Sequence, residues 1–299
     1  MSVREAGSIA PLLGQVGGAA RTAGRHAYLV GGAVRDLLLR RPTADVDIAL
    51  EGTASEASSF VTVLCAEAGW SIEARHGRFG TATLHGPDGW RIDVAATREE
   101  HYPHPGALPV VRAGVPIARD LARRDFTIHA MAFRISDEGI EGALIDPSGG
   151  ERDLERQNLR LLHEGSLSDD PTRIFRAVRY AARLGFGLDP GFVVALRRAV
   201  EAGAFLRISG DRLRRAIQEV LSEENRSMAV ELLGRLGVLN AVVEGWTVSL
   251  PVAGNLAGTS GPDEAWARLL APARPALRAR IASRLNFSRA LRRATECPR

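Results

Sequence analysis

The segment Asp45-Val46-Asp47-Ile48 sets two carboxylates two residues apart inside a short apolar run. Alternate side chains of a strand point to opposite faces, so both acids share one face, with Cα atoms roughly 6–7 Å apart. That spacing lets them ligate a pair of divalent cations about 3.5–4 Å apart. Burying two like charges this close without a cation would force one acid to take up a proton. Mg²⁺ suits such a set, because it takes few protein oxygens and completes its shell with water and phosphate. A bare pair of this kind is ordinarily a solvated strand edge, but the upstream run Val30-Gly31-Gly32-Ala33-Val34-Arg35-Asp36 changes the weighting. A strand ends there, two glycines permit close backbone approach, and a helix begins whose N–H groups can bind phosphate beside Arg35. Asp93, in Arg91-Ile92-Asp93-Val94, offers a third carboxylate on a neighbouring strand; the plainer alternative is a solvated strand acid.

A second set lies downstream. Asp170-Pro171 reads as a helix start, with Asp170 as N-cap and Pro171 at the first helical position. On a wheel of about 100° per residue, Ile174, Ala177, Val178, Ala181 and Leu184 form one apolar face. Arg173, Arg176, Arg179 and Arg183 gather on the other side, a stripe that is either a solvated basic face or a surface for an anion.

Taken together, these segments resemble a known family. The run GGAVRDLLLRRPTADVDIAL resembles the first motif of class II tRNA nucleotidyltransferases and bacterial poly(A) polymerases, within the polymerase-beta-like superfamily. Arg123-Arg124-Asp125-Phe126-Thr127-Ile128-His129-Ala130 is similar to the family's RRDFTxNA motif, with His129 where Asn is usual. Asp146-Pro147-Ser148-Gly149-Gly150 through Asp153-Leu154 resembles its hinge between head and neck. Asp169-Asp170-Pro171-Thr172-Arg173, with Arg176 and Arg179, resembles its EDxxR nucleotide-recognition motif. Asp211-Arg212-Leu213 resembles the start of its last helical motif, although Ala216 replaces the usual Glu. The matches run in family order over roughly residues 26–240.

The resemblance implies an α+β fold: an N-terminal polymerase-beta-like nucleotidyltransferase head, with a mixed or antiparallel sheet and helices, followed by an all-α neck and body. It implies attack of a tRNA 3′-hydroxyl on the α-phosphate of CTP or ATP, with Mg²⁺ held by Asp45 and Asp47. Gly31, Gly32, Arg35, Arg124, Arg176 and Arg179 would hold the nucleotide. Asp170 would accept from the exocyclic amine of cytosine or adenine, and Arg173 would donate to the adjacent ring nitrogen. Uracil and guanine present the opposite pattern, and a buried hydrogen-bond mismatch discriminates by about 10⁴-fold or more. The expected products are CCA or partial CCA ends. The alternatives are a poly(A) polymerase and a catalytically impaired RNA-binding relative with a truncated tail, since little of the family pattern is recognisable after about Gly245.

These residues need elements to position them. The sequence predicts strands at His26–Val30, Val46–Leu50, Ser71–Arg75, Thr81–His85 and Arg91–Ala95, and a helix over Ala33–Arg41 ended by Pro42. A second helix spans Thr53–Gly69, with Thr53 and Glu56 forming a capping box. The Pro-rich stretch 101–118 reads as a long loop, and the loop around 76–80 and 99–118 is a candidate for tuning nucleotide choice. Helices are expected at 170–185, 190–202, 210–223 and 225–236, giving a head over 1–145, a helical neck and body over 146–245, and an unassigned segment over 246–299.

Composition narrows the chemistry further. All 39 basic residues of the 299-residue chain are arginine, and the net charge is +4. Without lysine, P-loop NTPases, protein kinases and Schiff-base enzymes are excluded. Cys65 and Cys297 are too few for a disulfide framework or a Cys-rich zinc site, and His101 with His104 makes a poor metal pair without a nearby Cys. No long apolar run and no signal-type h-region after Met1 are present, so the expectation is a cytoplasmic protein without membrane contact.

Overall fold

The computed structural model describes residues 9–43, 45–77, 80–248, 254 and 256–296. Cys297 and part of the 76–80 loop lie outside the described residues. Contacts divide the chain into two units, Met1–His101 with Pro109–Arg156, and Tyr102–Leu108 with Gln157–Arg299.

The first unit is built on a seven-stranded mixed sheet. In chain order come α1 (Ala10–Thr22), β1 (His26–Val30), α2 (Gly32–Leu38), β2 (Val46–Glu51), α3 (Ala54–Ala68), β3 (Ser71–His76), β4 (Thr81–His85) and β5 (Arg91–Ala96). They are followed by β6 (Arg98–His101), β7 (Val110–Ala113), α4 (Ile117–Ala122), β8 (Ala132–Ser136), β9 (Gly139–Ile145) and α5 (Gly150–Glu155). The strand order is β3-β4-β5-β2-β1-β8-β9, with β2 and β5 parallel and the other neighbours antiparallel. Four consecutive buried residues, Ala27–Val30, make β1 a central strand. The capping box of α3 is present as expected: Thr53 accepts from the Glu56 N–H, and Glu56 accepts from the Thr53 N–H.

Helix α1 has no signal among the sequence expectations, because Gly14, Gly17 and Gly18 dilute its helical pattern. The structure supplies the reason for one of them: a methyl group on Gly17 would stand 1.9 Å from the Ser136 carbonyl oxygen, so only glycine lets α1 lie this close to β8. The stretch 101–118 is a loop only in part. β6 and β7 pair as a hairpin, and α4 starts at Ile117.

Helix α5 stays with the first unit, which places the division ten residues or so beyond the expected 145/146. Asp146 accepts the N–H groups of Gly150 (2.7 Å) and Glu151 (3.0 Å), and Thr127 Oγ1 donates to Asp153 at 2.6 Å. A methyl group on Gly150 would meet the Thr127 carbonyl oxygen at 2.3 Å, which explains the second glycine of the Asp146–Gly150 motif.

The second unit is helical. It contains β10 (Asn158–Leu159), α6 (Ser166–Asp169), α7 (Arg173–Leu184), β11 (Gly187–Leu188), α8 (Pro190–Glu201), α9 (Gly210–Leu221), α10 (Arg226–Arg235) and α11 (Val238–Val242). Helices Pro262–Leu270, Pro275–Arg284 and Arg289–Glu296 occupy the stretch left unassigned from sequence. They are not loosely appended. Trp246 and Trp266 stack at 6.3 Å, and Phe287 meets Trp266 edge-on at 5.0 Å. Arg284 donates to the Phe205 (2.6 Å) and Ile208 (3.0 Å) carbonyls, and a methyl group on Gly210 would meet the Arg284 carbonyl oxygen at 2.3 Å.

Candidate functional site

In the first unit the site grows from the junction of β1, α2 and β2. Val46 and Ile48 are buried, which turns the alternate side chain, Asp47, to the less buried face. Asp47 pairs in register with Val30 of β1 on one side and with Asp93 of parallel β5 on the other. Asp45 stands exposed one residue before β2. Burial pushes the Asp47 carboxyl above the usual carboxylate range; Asp93 and Asp45 push the same way, and Arg124 opposes them. Asp93 accepts from Thr83 Oγ1 and from Arg91 Nη1 (3.2 Å), so this third carboxylate is held in place rather than loose on a strand edge.

Gly31 sits over this acid. Its φ is +68°, and a methyl group there would stand 3.0 Å from Arg124 Nη1 and 3.2 Å from Asp47 Oδ2. Both the backbone angle and the space require glycine. Arg124 is in turn fixed by Asp120, whose Oδ2 accepts from Nη2 at 3.0 Å, and by the His129 carbonyl, which accepts from Nη1 at 3.3 Å. Its buried Nε has no hydrogen-bond partner among the described residues.

Asp120 is 1% exposed and was missed from sequence. Its Oδ1 accepts from the Arg98 N–H (3.0 Å) and from Arg123 Nε (3.0 Å) and Nη2 (2.9 Å). Burial alone would raise its pKa, but Arg123 and Arg124, with the Arg98 N–H, hold it below the usual range. The signal was available in the spacing, since Arg123 and Arg124 stand three and four residues after Asp120, as helical ion-pair partners do.

Arg35 is placed differently from the expectation of a direct phosphate contact. It is 6% exposed and paired with Asp36 through Nε (2.8 Å) and Nη2 (2.9 Å), and its Nη1 reaches His129 Nε2 at 2.8 Å. Arg35 also lies against the Gly31-Gly32 turn, where a methyl group on Gly32 would stand 3.5 Å from its Nη2.

The residues around Asp45 and Asp47 suit a hard divalent cation. The donors are carboxylate oxygens, and the raised pKa of Asp47 marks negative charge that the protein does not neutralise by itself. Among the described residues no three His, Cys, Asp or Glu side chains are arranged to hold a metal alone. A cation there would complete its shell from water and phosphate, as Mg²⁺ ordinarily does.

The second unit holds the other expected residues. Helix α7 begins at Arg173, three residues later than the expected start at Asp170. Asp170 spends its Oδ1 locally, accepting from the Thr172 N–H (3.0 Å) and hydroxyl (2.6 Å), and also from Arg212 Nη2 (3.1 Å). Arg173 is 3% exposed rather than displayed on a basic face. Its Nη1 donates to Ser166 Oγ, its Nη2 lies 3.5 Å from the Tyr102 hydroxyl, and its Cζ lies 5.9 Å from the Tyr102 ring centroid.

The segment 102–108 is pinned to this cluster. The Gly106 N–H donates to the Asp169 carbonyl (3.1 Å), and the Gly106 carbonyl accepts from Arg212 Nη1 (2.8 Å). Tyr102 and Arg212 were not singled out as site residues from sequence. Nothing in a local motif joins residues so far apart along the chain.

The arginine stripe does not survive as a free basic face. Arg179 pairs with Glu219 and with Glu223 (2.8 Å), and Arg183 pairs with Glu223 (2.6 Å), Glu219 lying on α9 and Glu223 just beyond its end. Arg176 is half-buried on the same helix.

Comparison with known proteins follows the same outline. Residues 27–160 match the family model described as the poly A polymerase head domain. An A-adding tRNA nucleotidyltransferase of Geobacter sulfurreducens is 39% identical over 215 residues, covering 72% of this chain and 24% of that protein. A CC-adding tRNA nucleotidyltransferase of Deinococcus radiodurans is 44% identical over 156 residues, covering 52% of this chain and 40% of that protein. The chain thus spans well under half the length of these two curated relatives. A solved CCA-adding enzyme in its apo form II superposes with a TM-score of 0.82 at 30% identity, covering 96% of this chain and 70% of that one.

Proposed function

Because the chain belongs to the tRNA nucleotidyltransferase family, we propose that it transfers CMP or AMP from CTP or ATP to a tRNA 3′ end and releases pyrophosphate. The observation that carries this activity is the meeting of Gly31, Asp47 and Arg124 beside Asp93: a side-chain-free backbone, a guanidinium and carboxylates within a few ångströms. In that place a triphosphate would meet the bare backbone of Gly31 and the positive charge of Arg124. Asp45 and Asp47, with Asp93 beside them, would hold Mg²⁺. When bound, the metal supplies a lower pKa for the attacking hydroxyl and neutralises charge on the leaving pyrophosphate. Arg124, itself oriented by Asp120, would bind and orient the nucleotide, so that most of the catalysis is positioning and preset electrostatics.

In the second unit Asp170 and Arg173 would select the base. The carboxylate accepts from the amine of C or A, and the guanidinium donates to the ring nitrogen beside it; U and G leave a buried donor or acceptor unpaired. Arg176 is assigned to hold the nucleotide, while Arg179 can do so only by exchanging its glutamates for phosphate. The first unit is read as the catalytic head and the second as the recognition unit.

A basic C-terminal surface supports an RNA partner. From Ala265 to Thr295 the sequence has eight arginines and no acid, and Arg274, Arg280, Arg289 and Arg293 are exposed. Phosphate backbones bind such surfaces by charge. Among the described residues no helix is long and apolar enough to cross a membrane. A tRNA end and nucleoside triphosphates as substrates would suit a cytoplasmic location.

The test is incorporation of labelled CTP and ATP onto tRNA ending before CCA, after one or two C, and after CCA, with Mg²⁺ and with chelator. CMP or AMP transfer to the incomplete ends supports the proposal. Long A tails on complete ends would indicate a poly(A) polymerase, and no transfer to any end would refute the activity.

A further inference from the structure

One buried side chain beside the site has no part in the chemistry above. His129 is 6% exposed, in the 3-10 turn Thr127–His129. Its Nε2 lies 2.8 Å from Arg35 Nη1. A guanidinium only donates, so Nε2 accepts, and the ring proton rests on Nδ1, facing Asp125 Oδ1 at 3.4 Å. That carboxylate oxygen is fixed by the Phe126 N–H at 2.9 Å. Half-buried Asp36 and buried Arg35, His129 and Asp125 thus form one line from α2 to the Arg123–Asp125 segment. The backbone of the same residue does a second job, because its carbonyl accepts from Arg124 Nη1, the nitrogen that lies against Gly31.

We propose that His129, in its neutral Nδ1–H tautomer, is a positioning residue of the nucleotide site: its ring sets Arg35 against the Gly31-Gly32 turn and its carbonyl sets Arg124 beside Asp47. This rests on the proposed nucleotidyl transfer and names a determinant of nucleoside triphosphate binding within it. The charged groups facing the ring are Arg35 and Asp36 from α2, and Arg124 and Asp125 from the segment before the turn. Asp153 of α5 reaches the turn through Thr127, and the Phe126 ring stands edge-on at 6.0 Å. A second proton on the ring would set an N–H of His129 against the N–H groups of Arg35. The bond would break, and the guanidinium, still paired with Asp36, would lose its tie to the Thr127–His129 turn. Triphosphate binding therefore requires the neutral ring and weakens on acidification. Asparagine supplies one acceptor and one donor on a shorter side chain and has no proton to gain. Leucine keeps much of the volume and supplies neither bond.

The experiment measures CTP affinity by calorimetry with Mg²⁺ between pH 5.5 and 8 for the full chain, His129→Asn and His129→Leu. Transfer to tRNA lacking CCA is followed in parallel, and melting temperature confirms folding at each pH. On acidification to pH 5.5 the wild type should lose roughly tenfold more affinity than His129→Asn, the worth of one charge-assisted hydrogen bond. At pH 7.5 His129→Asn should match the wild type, and folded His129→Leu should bind at least about tenfold more weakly at every pH. An acid loss in His129→Asn equal to that of the wild type overturns the proposal, as does wild-type affinity in His129→Leu. If the wild-type chain binds neither CTP nor ATP, the proposed activity itself falls, and the role of His129 with it.

Discussion

Arg212 pins Asp170, its Nη2 donating to Oδ1 at 3.1 Å while the Thr172 N–H and hydroxyl occupy the same oxygen. Three donors on Oδ1 leave Oδ2 as the oxygen to accept from a base. Asp170→Ala should therefore raise the use of UTP relative to CTP by at least about 10²-fold in kcat/KM ratio, because rejection by an unpaired buried group disappears. Arg212→Ala should lose part of the same discrimination, since the carboxylate is then free to turn. Unchanged rejection of UTP and GTP in Asp170→Ala would remove Asp170 from base selection.

Asp47→Asn should cost at least about 10³-fold in transfer, roughly 4 kcal/mol of transition-state stabilisation. Its stability should move the other way. Burial, Asp93 and Asp45 raise the pKa of Asp47 in the folded state above its unfolded value. The unfolded chain then gives up this proton first, so the wild type loses stability as pH rises from the ordinary carboxylate range through the folded value. In chelator at pH 7 the asparagine variant should melt above the wild type, with the gap closing as pH falls toward 4. Equal melting temperatures at both pH values would contradict the placement of uncompensated charge at Asp47.

At Gly31 an added methyl group meets Arg124 and Asp47, and the backbone angle is one that other residues rarely adopt. Gly31→Ala should lose about 1–3 kcal/mol of stability from backbone strain. It should also raise the KM for CTP, because Arg124 is displaced. Circular dichroism melts and steady-state kinetics on one preparation separate the two effects.

Asp120 carries a pH dependence of opposite sign. Burial raises its pKa, but Arg123 and Arg124 win and hold it below the usual range, so its stabilisation is fully present above the unfolded pKa and fades as pH falls through the folded one. Asp120→Ala leaves buried guanidinium groups without their carboxylate and should cost about 3–5 kcal/mol at pH 7. The difference from wild type should shrink toward zero in acid, where the wild-type carboxylate is protonated too. A constant difference across pH in urea melts would refute the ionic role.

Much of this architecture was legible from local pattern. The capping box that starts α3 is written in Thr53 and Glu56, and the alternation around Asp47 and Asp93 follows from buried Val46, Ile48, Ile92 and Val94. What escaped depends on distant partners. The basic stripe of α7 looked free because Glu219 and Glu223 arrive some forty residues later. Arg173 looked exposed by its spacing, yet Ser166 and Tyr102 enclose it. The C-terminal helices were hidden by proline and by scattered apolar residues, whose logic appears only when Trp246, Trp266 and Phe287 come together.

The second unit also borrows seven residues, Tyr102–Leu108, from the middle of the polypeptide that forms the first. No single cut can release either unit intact. A fragment ending at Arg156 would carry Gly106 without the Asp169 carbonyl and the Arg212 side chain that satisfy it, and a fragment starting at Gln157 would present Arg173 without Tyr102. During synthesis on the ribosome the borrowed stretch must wait, unsatisfied, until more than a hundred further residues have emerged to receive it.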